Sequence, residues 1–418
     1  MMKNILTAFI FIFLLTALPA AAQKPVKLGG RIVKKAQANS TQKTKSARAA
    51  LTSTPDKNTA AAIKQATRKI KEKTIPYLSH KDGHIFMAVV EADPDIRFSG
   101  TVFEIEHHGK KEIYGAIATH IIPSKSNNVF GIPRHFNATV YLPQSQTNGH
   151  IPQDILSYSL IQEANDVYFK MNIPAEIVAA FPISTFDMAL VKFSAEGEKL
   201  LTPFTLAQRV SKKEILRSVG YNHWRFSFIP QRHILRKTPT TIYTSMPLPH
   251  LERVGMCGSA VLTPKNELAG IHTGSRIDYF FSDNGPTVSY VTPASYLRFL
   301  VKAYHNGGKA NVPFYLAPGH FMKMDISEYP ISFQLLGKKH TVLFSDRVHF
   351  HFPHTRLNQL LKQFPQARFL RVSTHRVTWA KDAKALLMTP DDQPPYKTYL
   401  YDLQKRKVVN ATGTNRSK

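Results

Sequence analysis

The residues best suited to covalent chemistry in this chain lie far apart in the sequence. Cys257, its single cysteine, sits in Gly255-Met256-Cys257-Gly258-Ser259-Ala260-Val261, where flanking glycines let the backbone turn sharply. A thiol on such a turn can attack a carbonyl carbon while the backbone N–H groups of Gly255 and Cys257 face the developing oxyanion. A second glycine-bracketed segment follows, Gly270-Ile271-His272-Thr273-Gly274-Ser275. His120 ends an apolar run, Ile117-Ala118-Thr119-His120-Ile121-Ile122, and Asp187 opens another, Phe186-Asp187-Met188-Ala189-Leu190-Val191-Lys192. A general base, a group to orient it and a nucleophile thus occur in the order His120, Asp187, Cys257. Each also has a plainer role: a buried small hydrophobe, a core histidine bonded to a carbonyl, an aspartate capping a turn. His223, Asp154 and Asp166 lack the flanking strand context.

Short apolar runs punctuated by Gly, Pro and Asn fill residues 77–302 and predict an all-β sandwich or barrel. The clearest strands are His84–Glu91, Ser99–Ile105, Glu112–Ile117, Asn137–Leu142 and Met188–Phe193. Basic and acidic residues nearly balance here, 22 against 19, yet the 418-residue chain carries 55 Lys+Arg against 28 Asp+Glu. The excess, a formal charge of +27, therefore sits in the flanks. Residues 1–22 join Lys3, the apolar Ile5–Leu18, Pro19 and Ala20-Ala21-Ala22, the pattern of a signal peptide cut before Gln23. A secreted or periplasmic protein is expected, with no later apolar run able to span a bilayer. Residues 23–75, with 14 Lys/Arg and 2 acids from Lys24 to Ile75, read as a basic low-complexity leader or pro-segment. Residues 304–418 are basic again and read as α+β. Strands are expected over Thr341–Phe344 and Arg347–Phe352, then a helix capped by Thr355 and carrying Leu357, Leu360, Leu361 and Phe364 on one face. His349, His351 and His354 lack an obvious fourth ligand, so no metal is expected. Without a matching module, nucleic acid is not an expected partner either.

Together with Ser99-Gly100-Thr101-Val102-Phe103, the His120, Asp187 and Cys257 segments stand in register with the chymotrypsin-like (trypsin-fold) peptidases, which the sequence resembles over roughly residues 80–303. Ser289–Lys302 is similar to that family's last strand and closing helix. The resemblance implies two six-stranded antiparallel β-barrels, about 80–195 and 200–300, in a peptidase domain spanning 76–303, with a small α+β C-terminal appendage. It also implies a cleft between the barrels, with His120 and Asp187 from the first and Cys257 from the second. Cysteine as nucleophile is similar to the picornaviral processing peptidases. The Gly270–Ser275 segment resembles those enzymes and the staphylococcal-type glutamyl endopeptidases. By that resemblance His272 binds a P1 Gln or Glu, and Thr273, Gly274 and Ser275 pair with the substrate backbone.

The sequence departs from both groups at Glu252, where a small hydroxyl residue often assists the histidine. Facing the pocket, Glu252 would accept from Gln or pair with Lys or Arg; facing solvent beside Arg253 it would do neither. Arg31-Ile32-Val33 resembles a tryptic activation site, but Met256 beside the nucleophile cannot receive a new ammonium group. The expectation is a thiol endopeptidase acting on proteins or peptides without a cofactor. The rival from another class is a non-catalytic protein whose basic flanks hold anionic envelope polymers or acidic proteins.

Overall fold

The computed structural model describes residues 84–90, 93–121, 131–143, 157–163, 166–182, 185–222, 225–246, 256–276, 287–348, 352–379, 385–389 and 393–413. The expected signal peptide and leader, and Glu252, Gly255, His349 and His351, lie outside them.

The first part of the chain supplies β1 (Ile85–Val90), β2 (Asp93–His107), β3 (Lys110–Ile117), β4 (Gly131–Pro133) and β5 (His135–Pro143). It continues with β6 (Ser157–Glu163), β7 (Asp166–Ala180), β8 (Ala189–Phe193) and β9 (Phe204–Thr205). Antiparallel pairing runs β1-β5-β7-β8-β3-β2 and returns to β1, closing a six-stranded barrel. Successive residues on a strand face opposite sides, and here both sides are buried. Phe86, Val102, Ile117 and Val191 fill one cluster, whereas Ile85, Phe103, Tyr114 and Leu190 join another with Val219, Tyr221, Ala260 and Ile271 of the second barrel. That is why these strands read as unbroken apolar runs.

The second barrel comprises β10 (Ile215–Asn222), β11 (Arg225–Lys237), β12 (Ile242–Met246), β13 (Ala260–Leu262), β14 (Leu268–Arg276) and β15 (Thr287–Pro293). It closes in the order β10-β11-β12-β15-β14-β13, all antiparallel. The fold class is therefore the one the resemblance implied, all-β with two six-stranded barrels. Helix α1 (Leu297–His305) follows β15 and buries Leu297, Leu300 and Val301 in the cluster between the barrels, each worth about 1.5–3 kcal/mol.

The C-terminal region is α+β. Strands β16 (Asn311–Ala317) and β17 (His320–Asp325) form a hairpin. They precede β18 (Glu328–Leu336), β19 (Val342–Arg347), helix α2 (His354–Gln363), β20 (Phe369–Trp379), β21 (Ala385–Met388), β22 (Lys397–Asp402) and β23 (Lys407–Gly413). A sheet in the order β19-β18-β20-β22-β23 carries the region. One local expectation is corrected. Thr355 does not cap α2: Pro353 stands at the N-cap, its carbonyl takes the first helical bond from the Leu357 N–H at 2.8 Å, and the Thr355 hydroxyl accepts from Arg236 at 3.3 Å. Of the strand expected over Arg347–Phe352, Arg347 ends β19, and residues 349–351 lie outside the described residues.

This region is also tied into the first barrel more closely than an appendage would be. The end of β20 pairs with β21, and β21 pairs with β4. Tyr329, Val377 and Leu386 enter the apolar cluster of barrel one, and the Arg134 guanidinium lies 5.3 Å from the centre of the Trp379 ring.

Candidate active site

Three separate elements bring His120, Asp187 and Cys257 together. His120 lies in a single helical turn, Thr119–Ile121, directly after β3. Asp187 lies in the turn between β7 and β8 with φ 48°, a left-handed conformation that aspartate tolerates better than most residues. The turn is fixed from both barrels: the Asp187 N–H donates to the Pro182 carbonyl, and Thr292 Oγ1 on β15 donates to the Phe186 carbonyl at 2.8 Å. Asp187 is thereby aimed at His120 with both oxygens. Oδ1 accepts the His120 backbone N–H at 2.8 Å, and Oδ2 lies 2.5 Å from Nδ1. With Nδ1 so engaged, Nε2 is the ring nitrogen left for the Cys257 thiol, which lies near enough to act on the imidazole.

Burial pulls the His120 pKa down, but the Asp187 charge and hydrogen bond outweigh it, and Cys257 acts in the same upward direction. The net result is a pKa well above that of an ordinary histidine. The Asp187 side chain is 3% exposed and that of His120 34%, with Cys257 half-buried, so an incoming molecule can reach the thiol and the imidazole but not the carboxylate.

The turn that carries Cys257 depends on Gly258. Its φ is +89°, and a Cβ built there would stand 1.8 Å from the Ser99 carbonyl oxygen on β2. Thr101 Oγ1 donates to the Gly258 carbonyl at 2.8 Å, and the Gly258 N–H donates to the His272 carbonyl at 2.8 Å. Ser99 is itself pinned across the barrel interface, accepting the Tyr221 N–H at 2.6 Å. The nucleophile turn is thus clamped between β2 of one barrel and β14 of the other. Among the described residues the Cys257 N–H has no backbone acceptor. Met256, beside it, is fully buried against Ile229.

His272 lies on β14 with 1% of its surface exposed, its Nδ1 2.7 Å from Ser289 Oγ on β15. Thr273 and Gly274 are half-buried, and β14 pairs only with β15 over residues 274–276 among the described strands. Thr101, Ser99 and Thr292 are the supporting residues that motif reading leaves out. The Ser99–Phe103 and Ser289–Lys302 matches contain all three, but neither match marked them as holding the site.

One further cluster could hold a cation by residue type. His107, Glu112 and His305 bring ligand atoms within 4.8 Å of one another. The two imidazoles, however, stack at 4.1 Å and 9°, so no point within bonding distance of both rings lies in both ring planes, as shared metal ligation requires. Glu112 already accepts from Tyr114 at 2.6 Å and pairs with His305 at 2.8 Å, which ties α1 to β3.

No protein-family model matches the sequence, and no curated protein does. Among solved structures, a mutant of Rv3671c from M. tuberculosis in an inactive form is similar at 12% identity, with 56% of this chain and 92% of that one covered and a TM-score of 0.32. Deg5 is similar at 13% identity over 58% of this chain and 95% of that one, with a TM-score of 0.33.

Proposed function

We propose that the protein is an endopeptidase that hydrolyses peptide bonds through a thioester on Cys257. The observation that carries this reading is the convergence of Cys257, His120 and a buried Asp187 from three elements. His120 takes the thiol proton, and the thiolate attacks the scissile carbonyl carbon. The carbonyl electron pair moves onto oxygen, held by the Cys257 N–H and, by position in the motif, that of Gly255. Collapse expels the amine, which leaves with the proton from His120 Nε2. Water then attacks the thioester carbon, gives a proton to His120, and the thiolate departs with the new carboxyl group released. Asp187 keeps the imidazole oriented with its proton-transfer nitrogen toward the sulfur throughout.

The substrate pairs as an added strand with residues 273–275, with its P1 side chain, Gln or Glu, at His272. Export through residues 1–22 completes the reading. The test is intact mass after mixing with an excess of a peptidyl p-nitrophenyl ester. A burst of nitrophenol with an acyl mass on Cys257, absent in Cys257→Ala, is expected. Release of nitrophenol at equal rates from both proteins would remove the nucleophile assignment.

A further inference from the structure

The C-terminal sheet, β19-β18-β20-β22-β23, carries a different chemistry on each side. Phe333, Val372 and Tyr399 are buried in the apolar cluster that also holds barrel residues. Residues one place along each strand face the other way, and there the register lines up two rows. Ser332, Ser373, Thr398 and Thr412 stand opposite one another across four strands. Two residues along, so do Gln334, Arg371, Leu400 and Asn410. At about 4.8 Å between strands each row spans roughly 14 Å. These eight side chains line a groove of about 530 Å³, a size typical of ligand sites.

Only Leu400 among the eight is apolar, and none of them is acidic or aromatic. Hydroxyls and side-chain amides both donate and accept, so the groove complements a ligand dense in groups that do the same, as a sugar chain is. A single nucleic-acid strand would stack its bases on aromatic rings. An extended peptide would pair along a strand edge, whereas the backbone groups beneath this face are already engaged in the ladder between its strands. The charge of the groove comes from Arg371. Its Nη1 donates to Gln334 Oε1 at 2.9 Å, and Gln334 Nε2 donates to Ser345 Oγ at 3.4 Å, which holds the guanidinium along the second row. Arg347, opposite Ser332, extends the first row with a second positive charge. Asp346 between them in sequence alternates to the other side of β19 and pairs with Arg356 at 2.7 Å. A planar guanidinium with N–H groups to spare takes a carboxylate on two parallel bonds.

We propose that this face of the C-terminal sheet binds an acidic sugar chain, its hydroxyls taken by the two rows and its carboxylates by Arg371. The site needs nothing from Cys257, so it stands or falls apart from the peptidase reading.

The test is isothermal titration calorimetry of the whole chain at physiological ionic strength. The ligands are oligogalacturonate and oligomannuronate, with methyl-esterified oligogalacturonate of the same length, oligoglutamate and oligothymidylate beside them. Arg371→Ala and Asn410→Ala alter the groove, and Lys338→Ala removes an exposed charge in the turn between β18 and β19; each is checked by thermal unfolding. Wild type should bind the uronates, with the methyl ester about tenfold or more weaker. Arg371→Ala should weaken uronate binding about tenfold or more, and Lys338→Ala about twofold or less. Asn410→Ala, exposed on β23 and outside the core, should weaken it severalfold and carries the test if Arg371→Ala does not fold. No binding of either uronate, equal binding of the ester, an equal loss in Lys338→Ala, or unchanged binding in both groove variants overturns the proposal. Oligoglutamate or oligothymidylate bound as tightly as the uronates, with the same loss in Arg371→Ala, would also overturn it, by making the ligand a different polyanion.

Discussion

Replacing Gly258 by alanine tests how the nucleophile turn is held. Two costs arise at once. An alanine at φ +89° leaves its allowed backbone regions, worth about 1–2 kcal/mol. Its Cβ would also begin 1.8 Å from the Ser99 carbonyl oxygen, so the two backbones must separate by more than an ångström. Ser99 cannot retreat freely, because its Oγ binds both the N–H and the carbonyl of Tyr221 across the barrel interface. Overpacking of this kind typically costs about 1–3 kcal/mol more, for a total near 2–5 kcal/mol. A shift of that size at the neighbouring Cys257 should also slow cleavage by about a hundredfold. Thermal unfolding reads the first effect, and iodoacetamide alkylation of Cys257 with peptide cleavage reads the second. A Gly258→Ala protein with wild-type melting temperature and wild-type cleavage would refute the clamped-turn argument.

Other changes have equally definite outcomes. In Asp187→Asn the carboxylate that raises His120 is lost, so His120 should give up its proton at lower pH and the alkaline limb of kcat/KM should move down, with the rate falling about ten- to hundredfold. An unmoved limb would show that Asp187 does not control the imidazole. The raised His120 pKa adds stability that is complete below the unfolded value near 6.5 and lost as pH rises through the native value. The melting-temperature gap between wild type and Asp187→Asn should therefore be widest in mild acid and shrink in alkali; a gap that widens in alkali would contradict the sign. Ending the chain at residue 307 strips Tyr329, Val377 and Leu386 from the first barrel's cluster, a loss of about 5–9 kcal/mol, comparable to a domain's net stability. The truncated protein should aggregate or unfold; a soluble product with an unchanged melting temperature would show that the barrels stand alone.

Much of the barrel architecture and the three converging residues was legible because local signals coincided. The apolar runs around Phe86, Val102 and Leu190 marked strands, and the glycines beside Cys257 marked a turn whose φ the structure gives as +89° at Gly258. What escaped depends on contacts distant in sequence. Arg232, in Gln231-Arg232-His233, looks like any solvent-facing strand residue, and only the closure of β10, β12 and β15 around it turns it inward. The three-residue β4 is too short to read as a strand and exists by pairing with β21 far along the chain. Thr355 fitted a cap by residue type, but the preceding Pro353 carbonyl had already started the helix.

The central claim is that Cys257 cuts peptide bonds, and the most direct test is a mass-spectrometric cleavage profile of a diverse peptide library. The reduced protein is compared with Cys257→Ala, both with and without residues 23–75. The account predicts cuts that vanish in the variant and cluster after Gln or Glu. Identical profiles for the two proteins, in both forms, would contradict it and leave the barrels as a scaffold for binding.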